Sequence, residues 1–288
     1  MKSMSFQTWS YLCRRLSILV LCPLLVSCST LHVAYSTADW FVLWKLDGYF
    51  NLSSAQETYL EGRLQALHAW HRHQQLSLYA QFLNHIDQCV KDGLTPAELE
   101  SMVGSIEHFR IVFAQRVAPS GAKFLATVTP TQLLHLETAL SQCYRRLVSE
   151  VGREPEVRLA KRFAAAVDTL SSWVGDLSVD QERYIRERIR TIPDTTDQWL
   201  AYRKDRQIWL LDLLRSSHDP VQLEQGLYRW LADWKTGTTS ESLRALLEWR
   251  EGIKKVALAI DRILTPDQRV HFSKKLRELV QEIKGMAG

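Results

Sequence analysis

Glycine and proline are scarce in this chain, 12 and 8 among 288 residues. Folds made of many short strands need those residues at their tight turns, so long uninterrupted segments are expected instead. No stretch alternates apolar and polar residues over the length of a strand, which points the same way, to an all-α protein. Motifs that carry chemistry are missing as well. There is no Cys-x-x-Cys, no His-Glu-x-x-His, no acidic calcium loop, no Gly-rich phosphate loop and no nucleophile-elbow sequence. A metal site needs three or four ligands. His68 and His71, one helical turn apart, with His85 further along, fall short of that. No catalytic residue, metal or cofactor is therefore assigned, and the chain reads as non-enzymatic. With 46% apolar and 24% charged residues it has the balance of a folded protein, which excludes collagen, low-complexity and multi-span membrane classes.

What is present begins with a leader. Residues 1 to 15 carry Lys2, Arg14 and Arg15 and no acid. Leu16-Ser17-Ile18-Leu19-Val20-Leu21-Cys22-Pro23-Leu24-Leu25-Val26-Ser27 follows, an apolar run shorter than the roughly 20 residues of a spanning helix. Residues 1–27 read as a signal peptide. Leu25-Val26-Ser27-Cys28 resembles the bacterial lipobox, the alternative being an ordinary secretory signal with a chance cysteine. The resemblance implies cleavage before Cys28 and a lipid on that residue, the only added group expected, with three acyl chains anchoring far more firmly than one. Ser29, where retained lipoproteins usually carry Asp, implies sorting to the outer membrane with the protein facing the periplasm. Loss of Lys2, Arg14 and Arg15 leaves 33 of the 36 Lys and Arg against 32 Asp and Glu, a net charge of +1. That near-neutral surface argues against a nucleic-acid partner. Two cysteines remain, Cys89 and Cys143. In an oxidising periplasm they form a disulfide if their Cα atoms come within about 7 Å, and otherwise stay as buried or unpaired thiols.

The mature chain repeats one pattern: Leu52-Ser53-Ser54-Ala55-Gln56, Leu94-Thr95-Pro96-Ala97-Glu98, Val128-Thr129-Pro130-Thr131-Gln132, Leu177-Ser178-Val179-Asp180-Gln181 and Leu264-Thr265-Pro266-Asp267-Gln268. Each is a helix start, with a Ser or Thr cap, often Pro where its missing N–H costs nothing, and Gln or Glu three residues on to reach back. Asp219-Pro220 is a sixth start and Thr239-Ser240 a further one. Residues 52–64 (LSSAQETYLEGRL) align without gaps on 177–189 (LSVDQERYIRERI), sharing Tyr59 with Tyr184 and Arg63 with Arg188 beyond the cap itself. Two tandem related halves are expected, about 38–151 and 152–288, the alternative being that good caps look alike. The organisation is then a lipidated linker over 28–37 and one helical bundle over 38–288. Gly93, Gly152, Gly175 and Gly237 fall near the expected helix ends.

The apolar stripe Leu60, Leu64, Leu67, Leu78, Phe82 and Ile86 runs along one long helix and breaks at Trp70-His71-Arg72-His73-Gln74-Gln75. Spacing from Leu67 and Leu78 turns His71 and Gln74 inward. A second break between Leu200 and Leu210 turns Arg203 and Arg206 inward. His71, Arg72, Arg203 and Arg206, with Asp47 or Asp205 to balance their charge, are the candidate polar cluster of the core. It reads either as a ligand pocket or as a network that only sets helix register. The aromatic segment Asp39-Trp40-Phe41-Val42-Leu43-Trp44-Lys45-Leu46-Asp47-Gly48-Tyr49-Phe50 reads either as a first helix packed on the bundle or as a segment resting in the bilayer interface.

The lipobox, Ala38-Asp39-Trp40, Leu43-Trp44, Leu46-Asp47-Gly48-Tyr49-Phe50, Gln56 and Ala69-Trp70-His71-Arg72 together resemble a proteobacterial family of helical lipoproteins known only as a domain of unknown function. Its Tyr-Asn-Asn-Ala-Asp-Trp is matched by Tyr35-Ser36-Thr37-Ala38-Asp39-Trp40. Leu264-Thr265-Pro266-Asp267-Gln268 and its relatives are also similar to the Leu-Thr-x-x-Gln motifs of periplasmic stress chaperones. These resemblances imply a membrane-anchored binding, chaperone-like or envelope-assembly protein with an envelope protein as partner. A small-ligand or metal-binding protein, or an enzyme built on the polar cluster, is the alternative.

Overall fold

A computed structural model of the chain describes residues 29–151 and 154–287. Of these, 86% are helical, and no strand occurs among them. The expected leader, Cys28 and Gly152 lie outside the described residues. Met1–Ala38 and Asp39–Gly288 form two compact units. The described part of the first is α1 (Ser29–Ser36), a helix where a linker was expected, closed by the Ser36 and Thr37 hydroxyls donating to the Val33 carbonyl.

The second unit is an all-α bundle. Its helices are α2 (Ala38–Phe50), α3 (Ser54–Trp70), a π turn (His71–Gln75), α4 (Leu76–Lys91), α5 (Pro96–Leu125), α6 (Pro130–Val151), α7 (Pro155–Val174), α8 (Val179–Arg190), α9 (Thr196–Ser216), α10 (Pro220–Ala232), α11 (Ser240–Asp261) and α12 (Pro266–Ala287). Every start read from the repeated pattern begins a helix. Ser53, Thr95, Ser178, Asp219 and Thr239 are side-chain N-caps. Thr129 and Thr265 accept the N–H of Gln132 and Gln268 in the same way. The starts of α7 and α9 follow no such pattern. At α9, Asp194 rather than the capping Thr195 accepts from the Thr196 N–H and hydroxyl.

Two of these starts lock onto two others. Gln56 and Gln132 are buried and exchange amide hydrogen bonds, Gln132 Nε2 donating to Gln56 Oε1 at 2.6 Å and Gln56 Nε2 to Gln132 Oε1 at 3.1 Å. Each oxygen also accepts its own cap's N–H, from Ser53 and Thr129. Each amide donates across to a carbonyl two residues before the other cap, Thr127 and Asn51. Gln181 and Gln268 repeat the arrangement at 2.7 and 3.0 Å, reaching the Ile263 and Asp176 carbonyls. A side chain chosen to close a capping box here joins two helix starts far apart in sequence.

The packing interleaves the two expected halves. α10 lies along α5 and α12 along α4 as the most extensive helix contacts of the unit. Gly121 permits the first of these, since a Cβ there would come within 2.5 Å of Leu227 Cδ2. One buried cluster joins Phe50, Leu60, Ala122, Phe124 and Leu136 to Leu211, Leu214 and Leu223. A second gathers Ile185, Ile189, Ile192 and Val256. Burial of such side chains is the main stabilising term, about 1.5–3 kcal/mol for each large one.

Candidate functional site

A cavity of about 940 Å³ opens beside the first cluster. This lies near the upper end of the roughly 300–1,000 Å³ that small-molecule pockets span. Its walls come from α2, α3, α5, α6, α9 and α10 and are mostly aliphatic and aromatic, with Phe50, Leu60, Phe124 and Leu136 in the buried part. Pro119 stands in this wall inside α5. It lacks the N–H that would bond the Gln115 carbonyl, so the helix is locally weakened where it faces the cavity. Burial, and then the neighbouring Cys143 thiol, raise the Tyr49 hydroxyl above its ordinary value.

Four arginines and no carboxylate line the cavity: Arg63, Arg116, Arg203 and Arg206. Arg206 has its donors filled by backbone carbonyls, those of Asp233 at 3.2 Å, Thr236 at 2.9 Å and Trp230. Arg110 adds a bond to the Leu231 carbonyl at 3.1 Å. The two side chains cap the C-terminal end of α10, whose dipole favours cations there. Burial holds the Arg206 guanidinium below its usual range. Arg203, Arg63 and Arg116 are exposed where they meet the cavity. They lie over the rings of Trp199, Tyr59 and Trp70 at 5.3, 5.3 and 5.6 Å, and none is ion-paired with a carboxylate among the described residues.

The expected polar cluster is thus only partly assembled. Arg203 and Arg206 share the cavity wall, whereas His71, Arg72 and Asp47 are not part of it. Asp47 instead accepts the Leu52 N–H at 3.0 Å, fastening the turn after α2 in which Asn51 takes φ 50°. Neither Asp47 nor Asp205 forms an ion pair with either arginine among the described residues. The π turn accounts for His71 and its neighbours. The Leu76 N–H bonds back to the His71 carbonyl, five residues away, and the wider turn shifts the buried face by one position. Gln75, Leu76 and Ala80 are buried in place of Gln74 and Leu78, which are exposed. Three-and-four spacing cannot anticipate an inserted residue. Cys89 and Cys143 are free thiols, Cys89 beside His85 on α4 and Cys143 in the cavity wall on α6, so the expected bridge is not formed.

Sequence reasoning did not single out Arg63 and Arg116 as site residues. Arg63 had a local signal: an aromatic residue four positions before an arginine recurs as Tyr59–Arg63, Trp199–Arg203 and Tyr202–Arg206. Trp70 and Arg116 meet only through the fold. The aromatic segment satisfies both of its readings. Leu43, Leu46, Tyr49 and Phe50 pack on the core, while Trp40 and Trp44 remain 65% and 54% exposed and stacked on each other. Among the described residues no three His, Cys, Asp or Glu gather as metal ligands, and no helix is long and apolar enough to cross a membrane.

His71, set between Trp70 and Tyr79, is held below the ordinary histidine value of 6.5 by burial first and by neighbouring His68 second. The unfolded chain takes up that proton near 6.5 and the folded chain only at lower pH. Stability will therefore fall as pH drops below about 6.5 and level off beneath the folded-state value. Urea unfolding at pH 7.5 and 5.5 checks this. His71→Phe removes its share of the loss, and an unchanged pH dependence in that variant refutes the assignment.

No curated protein and no solved structure matches the chain. The family of unknown function DUF6279 matches residues 48–237, more than half of the chain and a span holding all four cavity arginines, and the chain belongs to that family.

Proposed function

We propose that this chain is a non-enzymatic binding protein of the bacterial envelope, anchored in the outer membrane through lipid on Cys28 and facing the periplasm, and that its binding site is the cavity beside the first core cluster. The observation that carries the reading is a cavity of about 940 Å³ with apolar walls and arginines at its exposed part. Apolar walls with a few convergent polar groups are what small-molecule sites share. The lipobox-like Leu25-Val26-Ser27-Cys28 supports the anchor and its location. An envelope protein as partner belongs to the same proposal.

The tandem relation of the halves is also proposed. Its support is the recurrence of one reciprocal glutamine pair at Gln56/Gln132 and Gln181/Gln268. The stacking of Arg63 on Tyr59 and of Arg188 on Tyr184, at aligned positions, supports it further.

The neutral fluorophore N-phenyl-1-naphthylamine tests the cavity. The purified protein will bind it saturably at one site, and Val117→Trp, which fills the wall from α5, will abolish binding while helicity is retained. Binding that is absent, or untouched by Val117→Trp, refutes the reading. Cys28→Ala tests the anchor, since the variant will move from the outer-membrane fraction to the soluble periplasm. Crosslinking in intact cells with the same control tests for a partner, which will be a single defined envelope protein recovered only when Cys28 is present.

A further inference from the structure

We propose that the cavity takes a single-chain amphiphile with an anionic head, a carboxylate or a phosphate, its chain among the buried leucines and phenylalanines and its head on Arg63, Arg116 and Arg203. This rests on the cavity being a binding site and goes further by naming the ligand's chemistry.

The argument is one of charge and its placement. Three helices, α3, α5 and α9, each bring one guanidinium to the same wall, and that wall contains no carboxylate to balance them. An arginine on a protein surface ordinarily finds an acid within reach, as Arg215 finds Glu137 at 2.7 Å and Arg250 finds Glu107 at 2.8 Å in this chain. Arg63, Arg116 and Arg203 have aromatic rings instead, at 5.3, 5.6 and 5.3 Å. A ring beneath a guanidinium steadies it without neutralising it, so the donors stay available and less ordering is lost when an anion arrives. Guanidinium geometry suits carboxylate and phosphate alike, with two parallel N–H donors to two oxygens. Arg206 does not share this role, because its donors are filled by carbonyls. Its contribution is to hold the end of α10 where Trp230 and Leu231 form part of the wall.

Polarity is divided across the cavity. The three arginines are exposed, while Phe50, Leu60, Phe124 and Leu136 are buried. A small hydrophilic anion would leave that apolar part unfilled, and an uncharged apolar molecule would leave the guanidiniums without counter-charge. An amphiphile satisfies both parts at once.

Isothermal titration of the purified full chain below micelle concentrations tests this with four probes of one chain length: dodecanoate, dodecyl phosphate, 1-dodecanol and dodecyltrimethylammonium. The two anions will bind at least about tenfold more tightly than dodecanol, since one charge-assisted hydrogen bond is worth that much. The cation will bind most weakly. The triple variant Arg63→Gln, Arg116→Gln and Arg203→Gln, all exposed positions, will keep its helicity and its affinity for dodecanol and lose the preference for anions. The difference between dodecanoate and dodecyl phosphate identifies the head the site prefers. Anions no tighter than dodecanol, or a triple variant that keeps the preference, overturns the proposal while leaving the binding site in place. Failure of every probe, dodecanol included, removes the binding site itself.

Discussion

Asp261→Ala will destabilise the protein by about 3–5 kcal/mol, the cost of leaving one partner of a buried ion pair uncompensated. Asp261 closes α11 and is buried. Its carboxylate accepts from Arg269 Nη1 at 2.8 Å and from the Leu94 N–H at 2.8 Å. Arg269 also donates to the Val90 carbonyl at 2.6 Å and to the Asp261 carbonyl at 2.5 Å. One ion pair therefore holds the end of α4, the turn before α5, the end of α11 and the first turns of α12. Gly93, at φ 104°, lets the chain turn so that the Leu94 N–H meets the carboxylate. Removal of the carboxylate strands a guanidinium and an N–H together. At about 2–4 °C per kcal/mol for a chain of this size, the melting temperature will drop by roughly 6–20 °C. Arg269→Met, which keeps the apolar stem, combined with Asp261→Ala in a double-mutant cycle by urea unfolding, measures the pair directly. A loss under about 1 kcal/mol for Asp261→Ala would falsify this account of the junction.

Gln132→Leu will cost about 2–4 kcal/mol, because a near-isosteric side chain leaves several polar groups without partners and each buried one costs roughly 1–3 kcal/mol. The Asn51 carbonyl loses its 3.1 Å donor, the Thr129 N–H its 3.0 Å acceptor, and the Gln56 amide its reciprocal partner. Gln268→Leu will cost a similar amount, since the Asp176 carbonyl, the Thr265 N–H and the Gln181 amide are left in the same state. Denaturant midpoints of the two variants, compared with unchanged slopes, provide the measurement. Adding Gln56→Leu to Gln132→Leu will cost less than the sum of the two, because the second change removes a group already stranded by the first. Strict additivity would show that the two amides do not act as a pair.

Helical class and helix starts were legible because they depend on neighbours in sequence. A cap needs only Ser, Thr or Asp and a residue three positions on, so Ser53, Thr95, Ser178, Asp219 and Thr239 could each be read locally. The candidate site was half legible. Arg203 and Arg206 face the cavity as their spacing required, yet they differ in role, because only the fold brings carbonyls of residues 230–236 to Arg206 and none to Arg203. Arg116 reaches the same wall from a helix whose contacts with α3 and α10 no local pattern records. The expected inward histidine face failed at the π turn, where one inserted residue rotates everything after Trp70.

The sequence by itself determined that the chain is all-helical, where most of its helices begin and which glutamines would close their caps, since hydrogen bonds over three or four residues settle those matters. Tertiary structure alone decided that Gln56 meets Gln132 and Gln181 meets Gln268, that α10 lies on α5 and α12 on α4, and that three arginines without acids share one apolar cavity. Those outcomes depend on which apolar faces bury against one another, and burial is non-directional, so many pairings satisfy the same pattern and only the packed whole selects one.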